Sequence, residues 1–137
     1  NHYKVAKDKA HRAICGLSMG GGHSFDISRR FLTKFDYIGL FSAGLHVSTT
    51  GDFRNDFYKQ LQGNEEAKTQ LATLFKNKPK LYWIGMGKAD FLYKSCADLR
   101  RYFDEKGYKY TYLETEGGHI WRNWRVYLTE FAQKIFK

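Results

Sequence analysis

Gly16-Leu17-Ser18-Met19-Gly20, followed at once by Gly21 and Gly22, carries the sharpest chemical signal in the chain. A serine nucleophile on a very tight strand-to-helix turn needs tiny residues two positions before and after it, because side chains there collide. Such a turn holds Ser18 in a strained conformation with its hydroxyl exposed. It also aims the Met19 N–H at the place where an oxyanion develops, at a helix start whose dipole favours negative charge. The chemistry would be acyl transfer. The competing reading is a glycine-rich turn with an idle serine, and the apolar run before the motif and the helical pattern after it weigh against that.

A serine hydroxyl needs a base, and the base needs an orienting acid. Of the five histidines, His2 and His11 lie in a polar segment before the motif. His23 falls one turn into the following helix and is expected not to fold back on Ser18. His46 follows the second strand, near the edge where a site would open. His119 lies in Glu116-Gly117-Gly118-His119, a glycine-flanked loop after the last strand, and is the expected base. The acid is expected after the third strand, where Gly85-Met86-Gly87-Lys88-Ala89-Asp90 places Asp90; its plainer role is a helix N-cap. Glu114 and Glu116 are substitutes, and Asp36 precedes its strand and is badly placed. Trp121, Arg122 and Trp124 flank His119; either tryptophan could stack on substrate, although their spacing also fits a helix face packed on a sheet. His46 is a weaker pocket candidate.

These residues need elements to hold them. Arg12–Leu17, Tyr37–Ala43 and Lys80–Met86 are short, nearly continuous apolar runs that read as buried strands, and Tyr108–Leu113 reads as a fourth. Between them, helical spacing covers Met19 to about Phe35, the stretch from Asn64 through Ala67, Leu71, Leu74 and Phe75, and Phe91–Lys106. Asn64 is the expected N-cap of the second, and Gly107 closes the third. Trp121, Trp124, Tyr127, Leu128, Phe131 and Ile135 mark a last helix. Gly44 to about Asp52 reads as a loop. The βαβαβαβα order requires a parallel sheet with helices on its faces.

Composition sets bounds. The 137 residues are 42% hydrophobic and 18% aromatic, enough for one core and one domain. No apolar run is long enough to cross a bilayer. The formal charge of +9 invites a nucleic-acid partner, but the cations are scattered with no block of five or six, so a solvated surface is the expectation. Two cysteines, Cys15 and Cys96, without a CxxC pair, read as small buried hydrophobes, with no metal signal. No metal or organic cofactor is expected. The chain opens at Asn1 without an initiator Met and without a leader, which reads as a processed product or fragment.

RAICGLSMGGGHSF, FDYIGLFSAG, KLYWIGMGKADFL and EGGHIWRNWRVYLTEFA together resemble the esterase-D-like α/β-hydrolases, and within them the carbohydrate esterase family 1 feruloyl and acetyl-xylan esterases. The resemblance runs from about Arg12 to Phe136. It implies Ser18 as nucleophile, His119 as general base and then acid, Asp90 as orienting residue and Met19 as one oxyanion donor. It also implies the C-terminal half of an α/β-hydrolase fold over residues 1–137, with about four parallel strands flanked by helices and the N-terminal strands missing. The expected partners are a polysaccharide-linked ester and either the missing half or a second copy at an exposed sheet edge. Nucleic acid and membrane are not expected. By the same resemblance the protein is secreted or periplasmic, or cytoplasmic if it acts as an S-formylglutathione hydrolase; siderophore esterases share the elbow. A non-catalytic binding module is the alternative from another class.

Overall fold

A computed structural model describes residues 7–47 and 56–136. A single 3₁₀ turn, Lys9–His11, leads into β1 (Ala13–Leu17), α1 (Met19–Arg30), β2 (Tyr37–Phe41), α2 (Phe57–Gln62) and α3 (Glu65–Lys76). β3 (Leu81–Gly87), α4 (Tyr93–Lys106), β4 (Thr111–Thr115) and α5 (Trp121–Ala132) follow. The strands form one parallel sheet in the order β1-β2-β3-β4. Each strand is thus the neighbour of the one before, always stepping the same way. With right-handed crossovers, such stepping keeps the connecting helices on one face of the sheet. α5, after the last strand, is free to cover the other face.

Strand alternation sorts the core between the two faces. Ile38 and Leu40 of β2 and Tyr82, Ile84 and Met86 of β3 join Phe25, Leu71, Leu99 and Phe103 from the crossover helices. Tyr37, Phe41 and Trp83 point the other way and meet Tyr127 and Phe131 of α5. This second layer is aromatic and close. A Cβ at Gly85 would sit 2.8 Å from the Tyr127 ring, so glycine in mid-strand lets α5 reach the sheet.

Two-sided burial explains why β2 and β3 read as unbroken apolar runs. β1 does not share it. It is an edge strand, half-exposed along its length, and Cys15 is exposed rather than buried as its apolar setting suggested. Cys96 is buried, on the inner face of α4. β4 begins three residues later than its aromatic run predicted. Tyr108 is taken up by the end of α4: its N–H donates to the Phe103 carbonyl at 2.9 Å and its ring stacks on Phe75 at 4.4 Å. Gly107, at φ 71°, makes the left-handed turn that closes the helix.

α1 stops at Arg30 rather than near Phe35. Leu32 and Phe35 still pack on the core, from the turn that carries the chain back to β2. α4 starts at Tyr93, two residues inside the expected start, and α5 ends at Ala132 before Ile135. α2 was not anticipated; Asp56 caps it by accepting from the Lys59 N–H at 3.2 Å. Of the expected loop after β2, residues 44–47 are irregular and the rest lies outside the described residues.

Asn64 does cap α3, and it does more. Its Oδ1 accepts from the Ala67 N–H at 2.9 Å, while Nδ2 donates to the Val47 carbonyl at 3.0 Å, tying the helix start to the loop after β2. Asn64→Ala is expected to cost about 1–2 kcal/mol through loss of both bonds. Asn64→Asp keeps the cap and is expected to cost less. Urea unfolding midpoints of the three proteins check the order.

Candidate active site

Ser18 is the N-cap of α1, yet its side chain does not cap the helix. Its backbone stands at φ 55°, ψ −117°, a left-handed φ that costs on the order of 1–3 kcal/mol for a non-glycine residue. Neighbouring backbone holds it there. The Ser18 N–H donates to the Phe41 carbonyl at 2.9 Å, and its own carbonyl accepts from Gly21, Gly22 and Gly44 N–H groups at 3.1, 3.2 and 2.9 Å. The turn tolerates no side chain at Gly16, where a Cβ would lie 2.3 Å from the Gly20 carbonyl oxygen, nor at Gly22, 2.3 Å from that of Gly44. Gly20 differs from expectation: a Cβ there meets nothing among the described residues. Crowding in the glycine run therefore falls one and two residues later than the motif spacing implied, where α1 passes the loop after β2.

This strain turns the Ser18 hydroxyl out of the helix axis and towards His119, whose Nε2 lies 2.9 Å from Oγ. The other ring nitrogen, Nδ1, lies 2.9 Å from Asp90 Oδ2. A carboxylate only accepts, so Nδ1 carries the proton and Nε2 is left as an acceptor for the serine O–H. The chain of three is polarised in one direction, from Ser18 towards Asp90. The Asp90 side chain is fully buried and that of His119 is 21% exposed. Met19 is the first residue of α1, so its N–H belongs to the turn whose backbone donors have no intrahelical acceptor.

Asp90 combines the two roles weighed for it, one on each oxygen. Oδ1 accepts from the Leu92 N–H at 2.9 Å and so stabilises the turn that leads into α4, while Oδ2 faces the imidazole. The substitutes are engaged elsewhere. Glu114 accepts from the hydroxyls of Tyr93 and Tyr112 at 2.6 and 2.9 Å, which hold its carboxyl below the ordinary glutamate range. Glu116 pairs with Lys88 at 2.8 Å, and Asp36 with Lys9 at 2.6 Å. Burial pushes the Cys96 thiol up to about 12, which keeps it protonated.

His119 is held by two aromatic rings. The rings of Phe91 and Trp124 approach it edge-on, each at 5.0 Å between centroids. Trp124 is fixed by donating its Nε1–H to Ser42 Oγ at 3.2 Å, and Trp121 leans on Trp124 at 5.2 Å while remaining 68% exposed. The loop that carries His119 is tied to α5 by Asn123, whose Nδ2 donates to the Glu116 and Gly118 carbonyls at 3.0 and 2.9 Å. It is tied to the Asp90 loop by the Ala89 N–H, which donates to the Gly117 carbonyl at 2.9 Å.

A cleft of about 330 Å³ opens at Ser18, and His46 and His23 both line it. Trp121 and Trp124 do not; Trp124 stands by His119 and Trp121 against Trp124. Among the remaining histidines, His11 pairs with Asp8 and His2 lies outside the described residues. Phe91 and Asn123 carry no functional signal in the sequence: Phe91 opens a helical stretch after Asp90, and Asn123 interrupts an aromatic repeat. No cluster of side chains suited to a metal ion occurs among the described residues.

A family model named Esterase, described as "Putative esterase", matches residues 1–135. The chain belongs to this esterase family. An acetyl esterase of Caldicellulosiruptor saccharolyticus is 27% identical over 155 residues, which cover 98% of this chain and 58% of the relative. A ferulic acid esterase structure superposes with a TM-score of 0.71 at 24% identity, over 93% of this chain and 52% of that one. The S-formylglutathione hydrolase FrmB of Staphylococcus aureus superposes with a TM-score of 0.71 at 20% identity, over 97% of this chain and 57% of that one. These likenesses establish the α/β-hydrolase fold of the esterase family. The chain spans between half and three-fifths of the length of these relatives.

Proposed function

We propose that the chain carries the acyl-transfer site of a serine carboxylic-ester hydrolase acting on acetyl or feruloyl esters of plant cell-wall polysaccharide such as xylan. One observation carries the reading: Ser18 Oγ, His119 and Asp90 are linked by two 2.9 Å contacts with the polarity that removes the serine proton. Membership of the esterase family and the acetyl and ferulic acid esterase relatives support the substrate class.

The geometry supports a two-step mechanism. His119 Nε2 takes the hydroxyl proton as Ser18 Oγ attacks the ester carbonyl, and Asp90 stabilises the imidazolium that forms. The tetrahedral oxyanion develops beside the Met19 N–H. A second donor would come from polypeptide paired along the open edge of β1, since the chain spans little more than half of its relatives. Collapse breaks the ester C–O bond, and Nε2 gives its proton to the departing sugar oxygen, which leaves as a hydroxyl. Water, deprotonated by the same nitrogen, then cleaves the acyl-serine.

Incubation with a fluorophosphonate, followed by peptide mass analysis, is expected to place one adduct on Ser18. Acetyl and feruloyl oxygen esters are expected to be hydrolysed in preference to S-formylglutathione. An adduct elsewhere, or preference for the thioester, overturns the reading.

A further inference from the structure

At the opposite end of the sheet from Ser18 lies a second cavity, of about 580 Å³, lined by Phe75, Lys76, Lys78, Pro79, Tyr108 and Lys109 among others. Pro79 and Lys109 precede β3 and β4, whereas Ser18, Asp90 and His119 follow strands. The seven residues of β3 set the two ends about 20 Å apart, at about 3.3 Å per residue.

Three ammonium groups share this wall without a counter-charge. The side chains of Lys76, Lys78 and Lys109 have no ion pair or hydrogen bond among the described residues. Acids of the adjoining turn are engaged elsewhere: Asp104 accepts from the Tyr110 hydroxyl at 2.9 Å, and Glu105 from the Tyr58 hydroxyl and Arg101 Nε. Nor do the helix ends account for these lysines. α3 and α4 both finish at the cavity, where cations complement the helix dipole, but the carbonyls there already have partners. Thr73 and Phe75 accept from the Asn77 and Lys78 N–H groups, each at 3.1 Å, and Phe103 and Asp104 from those of Tyr108 and Gly107 at 2.9 and 3.2 Å. Lys9 Nζ donates to the Asn77 carbonyl at 3.0 Å.

Lys78 also sits where a lysine is costly. Its φ is 48°, in the left-handed region, just beyond the end of α3. The corresponding residue beyond α4 is Gly107, which takes φ 71° without strain. A side chain placed there against its backbone preference points to a use for the ammonium group.

The rings in the wall narrow the choice of anion. Phe75 and Tyr108 lie face to face, 4.4 Å apart and 5° from parallel, so the stack is closed on itself and leaves no slot for a nucleic-acid base. A concave wall also fits a chain better than a flat bilayer. The Tyr108 hydroxyl has no hydrogen-bond partner among the described residues and can both donate and accept. We propose that this cavity binds a polysaccharide segment that carries carboxylate groups, Lys76, Lys78 and Lys109 pairing with the carboxylates and the Tyr108 hydroxyl with a sugar hydroxyl. The choice of a polysaccharide rests on the esterase reading above; the cavity would hold an acidic stretch of the polymer about 20 Å from the reacting ester.

Tetragalacturonate is the probe, with xylotetraose as its neutral counterpart and an oligothymidylate as a polyanion of another class. Titrations of the full chain are followed in nitrogen-15 amide spectra. Tetragalacturonate is expected to bind at least about tenfold more tightly than either, to shift the Tyr108 and Lys109 amides, and to weaken as salt is raised. Lys76→Gln and Lys109→Gln are each expected to weaken it about threefold, whereas Lys94→Gln, at the other end of α4, leaves it unchanged. Lys78→Gly is expected to weaken binding likewise while raising the melting midpoint by about 2–5 °C, a pairing that a lysine serving the fold would not give. No binding of tetragalacturonate, equal binding of xylotetraose, equal or tighter binding of the oligothymidylate, or a Lys78→Gly protein that binds as well as its parent or is less stable overturns the inference. Absence of a fluorophosphonate adduct on Ser18 would instead overturn the esterase reading and leave the binding comparison standing.

Discussion

Ser18→Ala is expected to lower kcat for ester hydrolysis by about 10⁴- to 10⁶-fold while leaving the fold intact. The size follows from what the hydroxyl does. It stands at the end of the polarised chain, and the Cys96 thiol is buried and held protonated. The effect on the fold should be small. Ser18 makes no side-chain cap to α1, so alanine removes no helix bond and leaves the backbone strain at φ 55° in place. Circular dichroism should therefore be unchanged. The residual kcat is read with a chromogenic acetate after trace wild-type enzyme has been inactivated with a fluorophosphonate, since it would otherwise set the floor. A loss of less than tenfold would mean that the measured hydrolysis proceeds somewhere else on the molecule.

Asp90→Asn is expected to lower kcat by about 10³- to 10⁴-fold through the histidine rather than through the fold. One side-chain oxygen of Asp90 accepts from the Leu92 N–H and the other from His119 Nδ1. Asparagine has one oxygen for these two donors. If it keeps the Leu92 bond, its amide N–H₂ faces Nδ1, the ring proton moves to Nε2, and Nε2 can no longer accept from Ser18. Nitrogen-15 spectra of His119 report the tautomer directly and would move only if Asp90 acts on the ring. Asp90→Ala removes both bonds and should also lower thermal stability. Loss of activity in Asp90→Asn with an unchanged His119 spectrum would place the role of Asp90 in the loop instead.

Which parts of this arrangement were legible in the sequence follows from physical causes. β2 and β3 are buried on both faces, so their sequences are nearly uniform in hydrophobicity and stand out. β4 is obscured because the aromatic run before it serves two elements: Tyr108 packs with α4 and α3, and pairing with β3 starts only at Thr111. Cys15 reads as interior because nothing in a short apolar run distinguishes an edge strand from a central one. α2 is too short for periodicity to show, and only the Asp56 cap marks it.

The site divides in the same way. Ser18, Asp90 and His119 sit immediately beyond three different strands, and parallel strands deliver such positions to one end of the sheet. That follows from topology and is readable. The contacts of Phe91 and Trp124 with His119, and the cleft that His23 and His46 line, depend on which side of a helix or loop faces the cleft. Tertiary packing decides that, and no spacing in the chain announces it.

Trp124 gives the molecule a built-in optical indicator. Its indole stands edge-on to the His119 ring at 5.0 Å and is immobilised by Ser42, while Trp83 is sealed between the sheet and α5 and Trp121 faces solvent. A charged imidazolium quenches a neighbouring indole far more strongly than a neutral ring does. The emission of one tryptophan therefore reports the protonation state of His119, and a stopped-flow trace could follow the proton through a single turnover without any added dye.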